Sequence, residues 1–303
     1  MDVYLPIANL SVNGLVIVLL GGLTGLLSGM FGVGGGFLTT PLLIFYGIPP
    51  TVAAASASTQ VTGASVTGVL AHSKRRGVDY HMGGIIVVGG MLGTGVGALL
   101  FRFFQSIGQI DVIISALYVI MLGTIGAMMA REAVQSLRGS ASGTPAAPKR
   151  RHHPLVAALP LRRRFYRSGL YISPLAPLLL GVFVGILTML MGVGGGFILV
   201  PAMLYILGMS AGVVVGTSLF NILFVTIATT LMHSLTTKAV DIVLVAFLLI
   251  GSVTGVQIGA QLAQKVKPEA LRLVLAAIVL LVAFRMLFGL GFRPDEIFTV
   301  QPL

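Results

Sequence analysis

The sequence predicts an all-α, polytopic membrane protein made of two homologous halves, each with about four hydrophobic segments. The first observation is composition: 56% of the 303 residues are hydrophobic, 9% are charged and the mean hydropathy is +1.03. Soluble domains carry about 25% charged residues. The second is a series of apolar segments long enough to span a bilayer, which needs about 20 residues. The third is the motif GVGGGF, which occurs as Gly32–Phe37 and again as Gly192–Phe197.

Each copy of the motif interrupts an apolar segment that would otherwise form one continuous helix. Glycine in a helix interior costs about 1 kcal/mol relative to alanine, so four glycines in five positions predict a break. The first apolar region, Asn13–Ile48, is thereby divided into a long piece and one of about ten residues. This division fits either a discontinuous spanning helix or a re-entrant hairpin.

The remaining segments divide the chain into residues 1–130, a linker at residues 131–170, and residues 171–303. Nine of the 19 Lys and Arg residues lie between Arg131 and Arg167, which predicts a basic, cytoplasmic linker without a core of its own. The predicted apolar segments after the first are Thr51–Ser73, Gly83–Phe104 and Asp111–Ala130, then Pro174–Leu207, Ala211–Leu235, Ala239–Ala263 and Ala270–Leu290.

The two halves match beyond the glycine motif, which predicts an internal duplication. Ser58 and Ser218 share the 160-residue offset of the motifs, and Val78-Asp79 corresponds to Val240-Asp241. Glycines at every fourth position predict close helix packing. The halves are parallel if the broken segments span and inverted if they re-enter. The positive-inside rule gives the same count for both, and transporters with broken helices favour the inverted arrangement. The glycine ladders are Gly89, Gly93, Gly97-Ala98 and Gly251, Gly255, Gly259-Ala260.

The broken helices predict a binding site for a small anion. A half-helix that restarts after a glycine turn presents backbone N–H groups with partial positive charge, and glycine lets a ligand approach them. Thr40 is expected as the N-cap and Pro41 as the first residue of the restarted helix, whereas the second copy has Val200-Pro201. The predicted substrate-binding glycines are Gly34, Gly35, Gly36, Gly194, Gly195 and Gly196.

The segment after each break is unusually polar for a membrane helix. Neutral hydroxyl and amide groups donate hydrogen bonds to an anion without an ion pair, but they also join helices in membranes. Two histidines near the ends of these segments, His72 and His233, are candidates for proton coupling or for interfacial residues. The predicted substrate-binding side chains are Ser58, Gln60, Thr217, Ser218 and Asn221.

Several function classes are disfavoured by the sequence. There is no Cys and no HExxH or Walker A motif, so we expect no enzyme, no cofactor and no metal site. No Asp or Glu lies within an apolar segment, which argues against a cation pump. The basic charge is explained by the linker, so the expected partners are a small anion and the lipid bilayer, not nucleic acid. The N-terminus lacks the positive region of a cleaved signal peptide, and the oligomeric state is not predicted.

Two GVGGGF copies, each followed by Pro and a polar helix, together with the turn Arg75–Asp79, resemble the TauE/SafE family of sulfite exporters. The resemblance covers most of the chain outside the linker. It implies a secondary transporter of the bacterial inner membrane that exports small sulfur-containing anions such as sulfite, sulfonates or thiosulfate. The turn is altered to Thr236–Asp241 in the second half, so paired arginines are not expected to act there. The alternatives are an anion channel that uses the same sites and a membrane scaffold whose linker is the working part.

Overall fold

A computed structural model of the chain describes residues 2–31, 35–74, 77–139, 163–165, 168, 170–262 and 268–291. Over these ranges the chain forms ten α-helices, one π-helical turn and two antiparallel β-hairpins. The first half contains β1 (Asp2–Leu5), β2 (Leu10–Asn13), α1 (Gly14–Phe31), α2 (Gly36–Phe45), α3 (Pro50–Lys74), α4 (Tyr80–Ser106) and α5 (Ile110–Gly139). The second contains β3 (Arg163–Phe165), β4 (Leu170–Ile172), α6 (Leu175–Met191), α7 (Gly196–Tyr205), α8 (Ala211–Met232), the π-turn (His233–Thr237), α9 (Ile242–Leu262) and α10 (Pro268–Gly291).

The prediction of an all-α, multi-pass membrane protein is confirmed. Within the described residues, five helical segments are long and apolar enough to cross a bilayer: Tyr80–Ser106, Ile110–Arg131, Gly212–Thr237, Ile242–Gly259 and Leu273–Gly291. The breaks also occur where the glycine motifs predict them, since α1 ends at Phe31 and α6 at Met191. Helix α5 continues nine residues beyond its predicted end at Ala130.

Both broken segments fold back as helical hairpins. The hydroxyl of Tyr46, just after α2, accepts a hydrogen bond from the Asn13 backbone N–H, just before α1 (3.2 Å). The end of α2 therefore returns to the start of α1. In the second half, Leu207 and Met209 follow α7 and pack in one buried cluster with Ile172, which precedes α6. Helix α7 therefore returns to the start of α6 in the same way.

The glycine ladders join pairs of parallel helices, and the helices of each pair pack as closely as predicted. A Cβ atom added to Gly21 of α1 would lie 2.4 Å from the carbonyl oxygen of Leu248 in α9, and one on Gly25 would lie 2.4 Å from that of Ser252. Contacts of the same kind join α4 to α6, where a Cβ on Gly93 would lie 2.1 Å from the Val182 oxygen. Any larger residue at these positions would push the helices apart.

Helices α5 and α10 pack antiparallel along the remaining side of the bundle. Gly126 in α5 lies against Val279 and Leu280 of α10, and Asp111 at the start of α5 lines the same cleft as Gly289 near the end of α10. Tyr118 is fully buried in the largest core cluster, which joins α5 and α10 to both broken segments. One helix from each half of the sequence therefore forms this side of the bundle.

Two β-hairpins were not predicted from the sequence. β1 pairs with β2 at one end of the bundle. β3 lies near the end of the stretch predicted as a linker, residues 131–170, and pairs with β4, which extends two residues beyond it. Phe165, Leu170 and Ile172 are buried against α6 and α7. The strands are three or four residues long, so they carry too little alternation of apolar and polar residues to be recognised.

Candidate functional site

The two helix breaks lie in contact with each other. The rings of Phe37 and Phe197, the second residues of α2 and α7, stack with centroids 4.4 Å apart and an interplanar angle of 5°. A Cβ on Gly36 would lie 2.8 Å from the carbonyl oxygen of Val193 and 2.9 Å from that of Gly192. We call these five residues the break interface. All predicted glycines within the described residues lie at or beside this interface.

The second break depends on glycine for its backbone conformation. Gly192, Gly194 and Gly195 have φ of 74°, 74° and 76°, a left-handed region that other residues rarely adopt. Space is also restricted, because a Cβ on Gly192 would lie 2.1 Å from the Ala54 oxygen. In the first break, Gly35 has a right-handed conformation (φ −66°), and Gly34 lies outside the described residues.

The expected caps of the first restarted helix are wrong. α2 begins at Gly36, and Gly35 supplies the carbonyl that accepts from the N–H groups of Leu38 and Thr39 (both 3.2 Å). The glycine turn is tight enough for the helix to restart at once, so Thr40 and Pro41 lie inside it. The Thr40 hydroxyl donates instead to the Met191 carbonyl oxygen at the end of α6 (3.3 Å). The side chain of Thr40 therefore joins the two breaks.

The first residues of α2 and α7 lie at the break interface. The N–H groups of the first residues of a helix have no acceptor within that helix. In α7 the first intrahelical bonds are those from Ile198 and Leu199 to the Gly195 oxygen (3.1 and 2.8 Å), which leaves Gly196 and Phe197 ahead of them. Two such N-termini meet at the break interface, and a helix N-terminus is a favourable position for an anion.

Helices α3 and α8 cross beside the break interface through paired threonines. The Thr62 hydroxyl donates to that of Thr226 (2.8 Å), and the hydroxyls of Thr59 and Thr230 are 3.2 Å apart. These threonines link the two helices, one of the two roles expected for hydroxyl groups in membrane helices. Ser58 also has its hydroxyl engaged, with the carbonyls of Ala54 (3.0 Å) and Ala55 (2.9 Å).

The two predicted amides differ in their surroundings. Gln60 is buried, and its Oε1 accepts a hydrogen bond from the Thr39 hydroxyl on α2 (2.9 Å). Asn221 is fully buried, and neither its Oδ1 nor its Nδ2 has a hydrogen-bond partner among the described residues. Ser218, one turn earlier on the same face of α8, is also fully buried with no partner for its Oγ. Buried polar groups without partners are rare and costly in folded proteins.

Asn221 lies close to the second break. Ile222, the next residue of α8, packs against Gly194, where an added Cβ would lie 3.2 Å from its Cγ2. Across the other side of α8, Asn221 Oδ1 would lie 3.5 Å from a Cβ on Gly90 of α4. The Asn221 side chain thus faces Gly90 of α4, while its neighbour Ile222 contacts the second break.

Thr217 has a structural role. Its hydroxyl donates to the Val213 oxygen (2.6 Å) and accepts from the backbone N–H of Asp79 (2.9 Å), the N-cap of α4. In the other half, the hydroxyl oxygen of Ser56 accepts from the backbone N–H of Asp241 (3.2 Å). Each polar helix is therefore bonded near its start to a helix of the other half.

The same two aspartates fasten the β-hairpins, a role that the sequence did not reveal. Asp79 is buried, and its Oδ1 accepts from the N–H groups of His81 and Met82 (both 3.1 Å). Its Oδ2 accepts from the N–H (3.1 Å) and hydroxyl of Ser168, in the β3–β4 turn. Asp241 likewise caps α9, and its Oδ2 accepts from the N–H of Ile7 in the β1–β2 turn (3.0 Å). We call these arrangements the Asp79 clamp and the Asp241 clamp.

His233 lies inside the bundle and not at its surface. It is fully buried at the start of the π-turn, a local feature often found at functional sites. Its Nε2 lies 3.0 Å from the Met189 carbonyl oxygen near the end of α6, and its Nδ1 lies 3.1 Å from Thr237 Oγ1. The side chain of His72 is outside the described part of the chain. The residues that the structure describes contain no group of three His, Asp or Glu suited to a metal ion.

One contact at the break was missed because it joins distant parts of the chain. The Tyr118 hydroxyl of α5 donates to the Met191 carbonyl oxygen (2.7 Å), which also accepts from Thr40. A buried tyrosine needs a partner for its hydroxyl, but the sequence does not show which one. The carbonyl oxygen of Met191, the last residue of α6, thus accepts hydrogen bonds from side chains of α5 and α2.

Comparison with known proteins finds membrane transporters among the similar sequences. The chain is 27% identical over 281 residues to "Probable membrane transporter protein YjnA" of Bacillus subtilis, covering 89% of this chain and 98% of that one. It is 26% identical to a "Probable membrane transporter protein" of Xylella fastidiosa (88% and 92% covered) and 24% to "Probable membrane transporter protein MJ0441" of Methanocaldococcus jannaschii (87% and 91%). No solved structure matches the chain. The family model "Sulfite exporter TauE/SafE" matches residues 17–286. The chain is therefore a membrane transporter that belongs to the TauE/SafE sulfite exporter family.

Proposed function

We propose that the protein is a secondary transporter that exports a small sulfur-containing anion, such as sulfite, a sulfonate or thiosulfate, across the bacterial inner membrane. The observation that carries this proposal is the contact between two glycine-rich helix breaks, marked by the stacked rings of Phe37 and Phe197. The sulfur chemistry of the substrate rests on the family name alone. The anion binds at the break interface and is exposed to each side of the membrane in turn.

The two halves act as inverted repeats in this proposal, with the linker at residues 131–170 in the cytoplasm. Support comes from an exchanged pairing, in which the first helix of each half packs on a helix of the other half. α1 packs parallel to α9, and α6, the counterpart of α1 by sequence, packs parallel to α4. The Asp79 and Asp241 clamps are equivalent under the same exchange. Inverted repeats with broken helices that meet near the midplane are a common architecture of secondary transporters.

The anion is held mainly by neutral donors in this mechanism. The N–H groups at the start of α2 and α7 carry partial positive charge, and the Asn221 amide and the Ser218 hydroxyl add directed hydrogen bonds. Gln60 lies four residues after Ser56, and Asn221 lies four residues after Thr217, the two residues whose hydroxyls accept from the backbone N–H groups of Asp241 and Asp79. Counted from the glycine motifs, Leu199 stands where the first half has Thr39. The amide of the second half thus lacks the hydroxyl that Gln60 has, which makes Asn221 the better ligand. Neutral groups bind an anion weakly enough to release it.

Reconstitution of the full chain into liposomes tests the proposed function. We expect saturable, protein-dependent flux of at least one of sulfite, thiosulfate and sulfoacetate, with accelerated exchange when the same anion is present on both sides. Sulfate and chloride serve as competing anions of similar charge or smaller size. No flux of any sulfur-containing anion would refute the proposal, and conductance at single-channel rates would identify a channel instead.

Proton coupling through His233 is the second part of the proposal, and His72 is its counterpart in the first half. His233 directly follows α8, and its Nε2 contacts the Met189 carbonyl oxygen near the end of the broken helix α6. Replacing His233 with glutamine is expected to abolish flux driven by a pH gradient and to leave anion exchange within about twofold of wild type. The matched control is His81→Gln, which changes an exposed histidine at the start of α4. If His233→Gln and His81→Gln respond equally to a pH gradient, His233 does not couple protons.

A further inference from the structure

A cleft lies away from the break interface, at one end of the bundle between α5 and α10. Its volume is about 380 Å³, room for roughly a dozen water molecules at about 30 Å³ each. The end of α2, the start of α3, the first turns of α5 and the last turns of α10 form its walls. They contribute Ile44, Phe45, Pro50, Asp111, Val112, Ser115, Arg285, Met286, Gly289 and Leu290.

The cleft lies near the edge of the membrane and not at its centre. α5 begins at Ile110 and α10 ends at Gly291, so both helices end beside the cleft. Arg285 lies six residues before the end of α10, about 9 Å along the helix axis. This is the depth at which a long basic side chain reaches the phosphate groups of lipids. The cleft therefore lies at one face of the membrane, and α5 ends at the opposite face, where the linker begins.

The neighbours of Arg285 on α10 indicate that this surface contacts lipid and not water. Phe284, Leu287 and Phe288 are 62%, 52% and 48% exposed, as expected for a helix face that lies in the bilayer. Arg285 itself is exposed, and its guanidinium lies over the ring of Phe45 at 5.4 Å from the centroid. The cation is thereby held against the wall of the cleft by a ring of α2.

We propose that this cleft is a binding site for a phospholipid, whose phosphate is held by Arg285. A guanidinium donates two parallel hydrogen bonds to a phosphate. The apolar side chains of the cleft suit the part of an acyl chain next to its ester bond with glycerol. Asp111 gives the same cleft a negative charge, so a headgroup that carries both phosphate and ammonium matches it better than an anionic one. The lipid that fits is phosphatidylethanolamine. This site is independent of the proposed transport mechanism.

Binding of lipids to the purified full-length protein in detergent tests the site directly. We expect native mass spectrometry to show phosphatidylethanolamine bound with an affinity at least fivefold higher than that of phosphatidylglycerol with the same acyl chains. Arg285→Gln should weaken binding of phosphatidylethanolamine at least tenfold. Arg102→Gln is the matched control, because Arg102 is also exposed near the end of its helix, α4, but does not line the cleft.

Three results would overturn the proposal. Equal binding by Arg285→Gln and Arg102→Gln would show that Arg285 does not hold the lipid. Binding of phosphatidylglycerol as tight as that of phosphatidylethanolamine would refute the headgroup assignment. Competition by inorganic phosphate alone would assign the cleft to a free anion. Arg285→Lys, which retains the charge but not the bidentate geometry, should bind with intermediate affinity and serves if the glutamine variant does not fold. Transport is not a readout here, so failure of this proposal leaves the transport proposal unaffected.

Discussion

Replacing Asn221 with leucine is expected to abolish transport and, at the same time, to stabilise the protein. Both polar atoms of the Asn221 amide are buried with no hydrogen-bond partner among the described residues, and each such group costs about 1–3 kcal/mol. Leucine has a similar shape and removes this cost, so the thermal unfolding temperature should rise. The same change removes the amide that we propose donates to the anion, so flux in liposomes should fall at least tenfold.

The combination of lost flux and gained stability separates a ligand from a packing residue. Thr229→Val is the matched control, since Thr229 is buried on the same helix and its hydroxyl donates to the Val225 oxygen within that helix (2.8 Å). That variant should keep its flux and change little in stability. An Asn221→Leu protein that transports at the wild-type rate would remove Asn221 from the site, and one that unfolds at lower temperature would mean that the amide has a partner in the apo protein.

Replacing Asp79 with alanine is expected to produce the largest loss of stability outside the breaks. The carboxylate caps α4 and fastens the β3–β4 turn, so four hydrogen bonds lose their acceptor. Loss of an N-cap costs about 1 kcal/mol, and loss of a buried bond to a charged group costs about 1.5–3 kcal/mol. We expect a total of about 3 kcal/mol or more, measured as a lower unfolding temperature in detergent.

Asp79→Asn tests which part of the Asp79 clamp matters. The amide oxygen still accepts the bonds of the helix cap, but the amide nitrogen cannot accept from Ser168, so an intermediate loss is expected. Asp2→Ala is the control, because Asp2 is exposed in β1. If Asp79→Ala unfolds at the same temperature as Asp2→Ala, the hairpin is not held by this carboxylate.

The breaks and the glycine ladders were predictable because glycine encodes backbone conformation directly. Four glycines in five positions leave no helix, and the φ of 74° at Gly192 and Gly194 is what such a run permits. Gly93 and Gly255 lie against carbonyl oxygens of neighbouring helices, as glycines spaced by four residues predict. These features follow from the absence of a side chain, which does not depend on the rest of the fold.

Features that depend on distant partners were not predictable. The contact of Tyr118 with the Met191 oxygen joins residues 73 positions apart, and Asp79 bonds to Ser168 across 89 positions. The structure shows that Thr217 bonds to the N-cap residue of α4, whereas the hydroxyl of Ser218 beside it has no hydrogen-bond partner among the described residues. A hydroxyl in a sequence does not show which of these two environments it will meet.

The exchanged pairing of helices also has a consequence for how the protein is made. α1 packs along its length on α9, which is synthesised more than 200 residues later, or about 10–45 s at 5–20 residues per second. Until then the glycine face of α1, including Gly21 and Gly25, has no close-fitting protein partner and is covered by lipid. We therefore expect the first half to enter the bilayer as separate, loosely associated helices. Its native assembly must wait for the second half, and a ribosome that stops in the linker leaves a product for membrane proteases.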